Sequence, residues 1–136
     1  MIKNFFILSV IFFFISCEKE SEFTKNISND SISNTATLLY SGSFAPTSGI
    51  SVTGSAKIYN DNGQKKVLLD NFSISDGPDL KVYLSTTNSP TTFVNLGSLT
   101  SSRVYLIPSA VDLTVYKYVL IHCQQYNHLF AIAELM

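Results

Sequence analysis

The sequence predicts an all-β domain, an antiparallel β sandwich or barrel of about eight strands, behind an N-terminal export segment. Three observations carry the prediction. From Leu38 onward apolar and polar residues alternate with a period of two. Turn-forming residues interrupt the alternation at the spacing expected of a sandwich or barrel, and no segment keeps a helical period.

The elements follow in order. Leu39–Phe44 is the first strand. In the second, Val52, Gly54, Ala56 and Ile58 alternate with Thr53, Ser55, Lys57 and Tyr59, the pattern of a half-buried strand. Asn60-Asp61-Asn62-Gly63 tolerates positive φ and reverses the chain as a hairpin, so Val67–Phe72 is the return strand. Asp76-Gly77-Pro78-Asp79 is a further turn, because Pro78 fixes φ and Gly77 permits a tight approach. Leu80, Val82 and Leu84 alternate with Lys81, Tyr83 and Ser85, and Asn88-Ser89-Pro90 breaks the strand. Shorter strands follow at Phe93–Leu96 and Val104–Ile107, divided by a Gly97 and Ser-rich turn and closed by Pro108. The last two, Tyr116–Cys123 and His128–Leu135, are the most apolar.

The N-terminus has a different grammar. Lys3 supplies a positive start, and Phe5 to Ile15 is apolar except for Ser9. That run is shorter than the roughly 20 residues a spanning helix needs, and it has the length of a signal-peptide core. It ends in Phe14-Ile15-Ser16-Cys17, followed by Glu18-Lys19-Glu20. A small residue directly before a cysteine resembles the lipobox of bacterial lipoproteins, although Phe14 stands where Leu is usual. The expected organisation is therefore residues 1–17 as a signal peptide ending at a lipidated Cys17, 18–37 as a tether, and 38–136 as the domain. The alternative is an ordinary cleaved signal peptide with an incidental cysteine. Residues 18–37 are rich in Ser, Asn, Thr, Glu and Lys and keep no period, which reads as a flexible linker. The expected address is the cell envelope, lipid-anchored outside the cytoplasm at the outer membrane, so the triplets Asn26-Ile27-Ser28 and Asn71-Phe72-Ser73 are read as chance glycosylation matches.

A formal net charge of −1 lacks the clustered basic surface of a nucleic-acid binder. Of two cysteines, Cys17 is taken by lipid in this reading, leaving Cys123 as the mature chain's one thiol. A leftover cysteine in an oxidising compartment asks for an explanation.

Four segments bear on that. Gly42-Ser43-Phe44 precedes Val52-Thr53-Gly54-Ser55-Ala56, and Leu69-Asp70-Asn71-Phe72 runs toward Gly77-Pro78-Asp79-Leu80-Lys81-Val82-Tyr83-Leu84. Tyr118 to Cys123 and Leu129 to Leu135 complete the set. Together, from Ser41 to Leu135, they resemble the DM13 domain, an electron-transfer module that accompanies DOMON domains in animal cell-surface proteins. The resemblance implies an extracytoplasmic all-β domain. It also implies a hallmark cysteine, here Cys123, acting as a bare thiol or as a cofactor ligand such as one to haem. His122 stands where the family commonly has an aromatic residue, and Ala131 where it has glycine. The redox or surface protein partner is left unnamed.

The residues around Cys123 pull two ways. Val119, Ile121 and Cys123 share one strand face, and in the last strand Leu129, Ala131, Ala133 and Leu135 share the apolar one, opposite Phe130, Ile132 and Glu134. A three-residue loop, Gln125-Tyr126-Asn127, pairs Cys123 with Leu129 and matches the apolar faces, whereas a four-residue loop pairs it with His128. The first register is favoured, because a slip turns side chains to the wrong face. It makes Cys123 a small core residue, whose burial blunts a thiol. His122 and His128 then share a face and could ligate metal or haem, but no third ligand has recognisable spacing, so no metal is assigned. Asp70, Asp76 and Asp79 lack calcium-loop spacing and are explained by the turn. Outward-pointing Tyr59 and Tyr83 could form a carbohydrate platform. No phosphate loop, nucleophile elbow or triad is visible, so an enzyme acting alone is not expected. The leading reading is electron transfer or thiol redox through Cys123; the alternative is a binding or structural module in which Cys123 only packs.

Replacing Cys17 with Ser should move the protein from the membrane fraction to the soluble one. An unchanged distribution would remove the lipid anchor from consideration.

Overall fold

The computed structural model describes residues 31–136. The expected signal peptide, Cys17 and most of the expected tether lie outside the described residues. Eight strands are present and, among the described residues, no helix. They are β1 (Thr37–Pro46), β2 (Val52–Asp61), β3 (Gln64–Ile74), β4 (Leu80–Ser85), β5 (Phe93–Ser98), β6 (Val104–Leu106), β7 (Tyr118–Cys123) and β8 (His128–Glu134). Every pairing is antiparallel, in the order β5-β4-β7-β8-β1-β2-β3-β6. The two outer strands approach each other where the Tyr105 hydroxyl donates to the Ser98 carbonyl at 3.2 Å, so the sheet curls into a nearly closed barrel. The all-β expectation holds, with each expected strand found at its place.

The alternation explains the core. Ala56 and Ile58 of β2, Val67 and Leu69 of β3, Val82 and Leu84 of β4, and Val119 and Ile121 of β7 all point inward and are buried. Asn62 and Gly63 adopt φ of 52° and 86°, the pair of left-handed residues that a tight hairpin between β2 and β3 requires. β1 joins the two halves of the barrel. Its residues up to Ser43 pair with β2, and Phe44, Ala45 and Pro46 pair with β8. At the changeover, a Cβ on Gly42 would lie 2.1 Å from the Glu134 carbonyl oxygen, so no other residue lets the backbones approach this closely.

Antiparallel alternation gives the barrel two distinct ends. The entry end carries the start of β1, the β2–β3 hairpin, the 107–117 connection and the end of β8. The far end carries the 47–51 loop, the 75–79 turn, and the β7–β8 hairpin.

The expected tether meets the domain before Thr37. Asp61 and Lys66 form an ion pair at 3.0 Å, both almost fully buried. The Ser33 amide donates to Asp61 Oδ2 at 3.1 Å, its hydroxyl donates to Oδ1, and Lys66 Nζ donates to the Ser31 carbonyl at 3.1 Å. The bonds from Ser33, and then the one from Lys66, hold the Asp61 carboxyl at about 2, below its ordinary 3.8.

Such a depressed carboxylate stabilises the fold fully above its unfolded value, and the contribution fades as pH falls through the folded one. Denaturation midpoints should therefore drop between pH 3.8 and about 2 more steeply in the native chain than in Asp61→Asn. Identical acid profiles would mean that the clamp adds nothing to stability.

Candidate functional site

Cys123 closes β7 at the far end, pairing with Leu80 on one side and His128 on the other. It is fully buried and free of any disulfide. The expected register is found lower in the hairpin, where Ile121 pairs with Ala131 and Val119 with Ala133, but not at its tip. Between Ile121 and His122 the pairing slips by one, so His122 faces Leu129 and Cys123 faces His128 rather than Leu129. The cause is Phe130. It is the extra residue of a bulge, and instead of lying outward it joins Ala131 in the core. Burying a phenyl ring outweighs keeping an unbroken ladder there. The loop thus has four residues, Gln124 to Asn127, with Asn127 left-handed at φ 48° as its position demands.

The Asp76–Leu80 segment sits against this tip. The Gln124 amide donates to the Asp79 carbonyl at 3.0 Å. A Cβ on Gly77 would come within 2.8 Å of Leu80 Cδ2 and 3.0 Å of Phe130 Cζ, so the turn packs directly on side chains next to Cys123. Beside it opens a cleft of about 470 Å³, lined by Phe72, Asp76, Asp79, Leu80, Leu99 and Arg103 among others. The Arg103 guanidinium lies 5.3 Å from the Phe72 ring centroid and donates to the Thr100 carbonyl at 2.7 Å. Leu80 belongs both to the cleft wall and to the pair with Cys123; the thiol itself does not reach the cleft.

The slip also separates the histidines. Cross-strand partners share a face, so His128 shares one with Cys123 and His122 lies on the other; they do not share a face as expected. His128 is exposed and meets the Phe130 ring edge-on at 5.2 Å. His122 is buried, with Nε2 donating to Asn127 Oδ1 at 3.1 Å and Nδ1 buried without a partner. Burial, first, pushes the His122 imidazole below its ordinary range; the Asn127 bond opposes this, and His128 adds a small repulsion. The ring is therefore neutral at pH 7. Its face lies 5.3 Å from Tyr83, which stacks on Phe93 at 4.1 Å. Tyr83 does lie on the outer strand face, but it is 2 % exposed under these rings and offers no carbohydrate platform. Tyr59 stays half-buried on its own sheet face.

The aspartates find simpler partners. Asp70 pairs with Lys57 at 2.8 Å and Asp79 with Lys81 at 3.1 Å. Among the described residues, no three His, Cys, Asp or Glu side chains converge as a metal site would need. Arg103 and the 98–101 stretch escaped the sequence reading, since a Ser-rich connection carries no local sign of the cleft it will border.

The family model described as electron transfer DM13 matches residues 44–135. The chain belongs to that family. A search of curated proteins and of solved structures finds no match for it. The match runs from Phe44, where β1 passes to β8, almost to the end of the chain, and takes in Cys123 and the Gly77–Leu80 turn. An electron-transfer role in general is what DM13 membership suggests. Haem ligated by Cys123 does not fit the geometry, because an axial ligand must border the cavity that takes the macrocycle, and this thiol is sealed within the core.

Gly77→Ala should displace Leu80 or Phe130 and speed modification of Cys123 by a thiol reagent several-fold. An unchanged rate would show that this turn does not control access to the thiol.

Proposed function

We propose that this DM13 domain serves electron transfer at the cell envelope, held to a membrane by lipid on Cys17, with Cys123 as its redox-relevant group. One observation carries the choice of residue. The single thiol of the described chain sits at the end of a strand, under a turn that borders the cleft, rather than in the middle of the barrel. Strand ends and hairpin tips open at far lower cost than whole domains, so Cys123 is reachable through local opening of residues 124–127 while the barrel stays folded. Closed, the site shields the thiol from adventitious oxidation. A redox protein partner would meet it at the far end, over the cleft.

The second reading, a binding or structural module with Cys123 as packing, is favoured by the thiol's complete burial in the hydrophobic core. The two readings part on one variant. Cys123→Ala should keep the fold at a cost of roughly 1–2 kcal/mol. If Cys123 is the redox group, glutathione disulfide should oxidise it in the folded protein, forming a mixed disulfide at Cys123 and releasing one reduced glutathione, and the variant should form none. A native thiol that stays unmodified until the protein is denatured would assign Cys123 to packing. The visible spectrum of the same preparation reads any bound haem directly.

A further inference from the structure

The exposed apolar side chains are not scattered. Of the seven large ones exposed among the described residues, Leu38, Leu39, Phe93, Leu106, Val115 and Met136 lie at the entry end of the barrel, and only Tyr126 lies at the far end. The register ties them together. Leu38, Tyr59, Lys66 and Leu106 succeed one another across β1, β2, β3 and β6. Leu39 shares a groove with Leu113 and Thr114, next to Val115, and the Met136 amide and carbonyl both bond to Ser41. Phe93 opens β5, alongside Ser85, Tyr118 and Glu134. Single exposed apolar residues are ordinary on any protein; their collection at one end is not.

The N-terminal segment reaches the domain at this same end. Ser31 and Ser33 are fixed to Lys66 and Asp61, between Leu38 and Leu106 in the strand order. Even fully extended, the chain from Cys17 to Ser31 spans no more than about 50 Å. The charges there balance, with Lys65 and Lys117 against Asp112 and Glu134, so attraction to anionic headgroups is not what the end is built for. Long lysine stems beside apolar groups can nevertheless keep their ammonium in the headgroup layer.

We infer that the entry end is a membrane-docking surface: Leu38, Leu39, Leu106, Val115 and Met136 rest in the lipid interface, with Phe93 at the margin. The inference rests on the lipid anchor proposed above. It turns the cleft and Cys123 away from the bilayer, toward the space where a redox partner moves.

The test uses the full lipidated protein in vesicles of phosphatidylethanolamine and phosphatidylglycerol, in a Cys123→Ala background. An environment-sensitive fluorophore is placed at Val115→Cys on the entry end or at Ser48→Cys on the far end, both exposed positions. Lipid-borne quenchers should quench the label at 115 several-fold more than the label at 48, with little change at high salt. Equal quenching in vesicles that still carry the protein overturns docking and leaves the anchor standing. Protein that does not float with the vesicles at all overturns both. Sedimentation of a dimer that shields the label at 115 without lipid would give the surface to a second copy of the chain, and also overturns docking.

Discussion

The structure depends on one strand serving two partners. Among the described strands, β1 alone makes the β2–β3–β6 side of the sheet continuous with the β4–β5–β7–β8 side. A strand can bond on both edges only if neither neighbour is held off, and at the changeover the Glu134 carbonyl stands where any side chain on Gly42 would be. Beyond that point Phe44 turns inward against Phe72, ring centroids 5.1 Å apart, and fastens β1 to the far side of the core. The family match begins at this residue, which places the DM13 pattern on the half of β1 that binds β8.

The same economy governs the site. The Gly77–Leu80 turn carries no reactive group, yet it packs on Leu80 and Phe130 and accepts a bond from Gln124, so it acts as a cover for the end of β7. The family match thus takes in both a buried thiol and the segment that closes over it. Burial and function are not opposed in such an arrangement, because the energy needed to expose one strand end is a fraction of the energy of unfolding.

The fold was legible because strand period and turn chemistry are local. Val52 to Tyr59 and Leu80 to Ser85 declare their faces by alternation, and Asn62-Gly63 declares its hairpin by φ preference. The inward face of Cys123 was legible for the same reason. What could not be read was where alternation yields to packing. Phe130 sits in phase with Ile132 and Glu134, and its inward turn, which shifts the tip by one residue, brings it against Gly77, a contact distant in sequence that no local pattern shows. Tyr83 likewise follows the outward phase, but the rings of Phe93 and His122 arrive from β5 and β7 to cover it. The Ser33–Asp61–Lys66 contact was hidden because Asp61 reads as a turn residue and Ser33 as linker, and nothing local pairs positions 28 residues apart. The same distance in sequence hides the cleft.

That clamp has a mechanical consequence. A chain tugged from its N-terminus would ordinarily peel β1 off its neighbours one hydrogen bond at a time, the weakest way to load a sheet. Here a pull arriving at Ser31 and Ser33 is taken first by the Asp61–Lys66 pair, on the two strands joined by the tightest hairpin of the barrel. The load enters β2 and β3 together, so their cross-strand bonds share it. A domain pulled from this side is thereby gripped by its β2–β3 hairpin, and the strand on which its continuity depends is spared the strain.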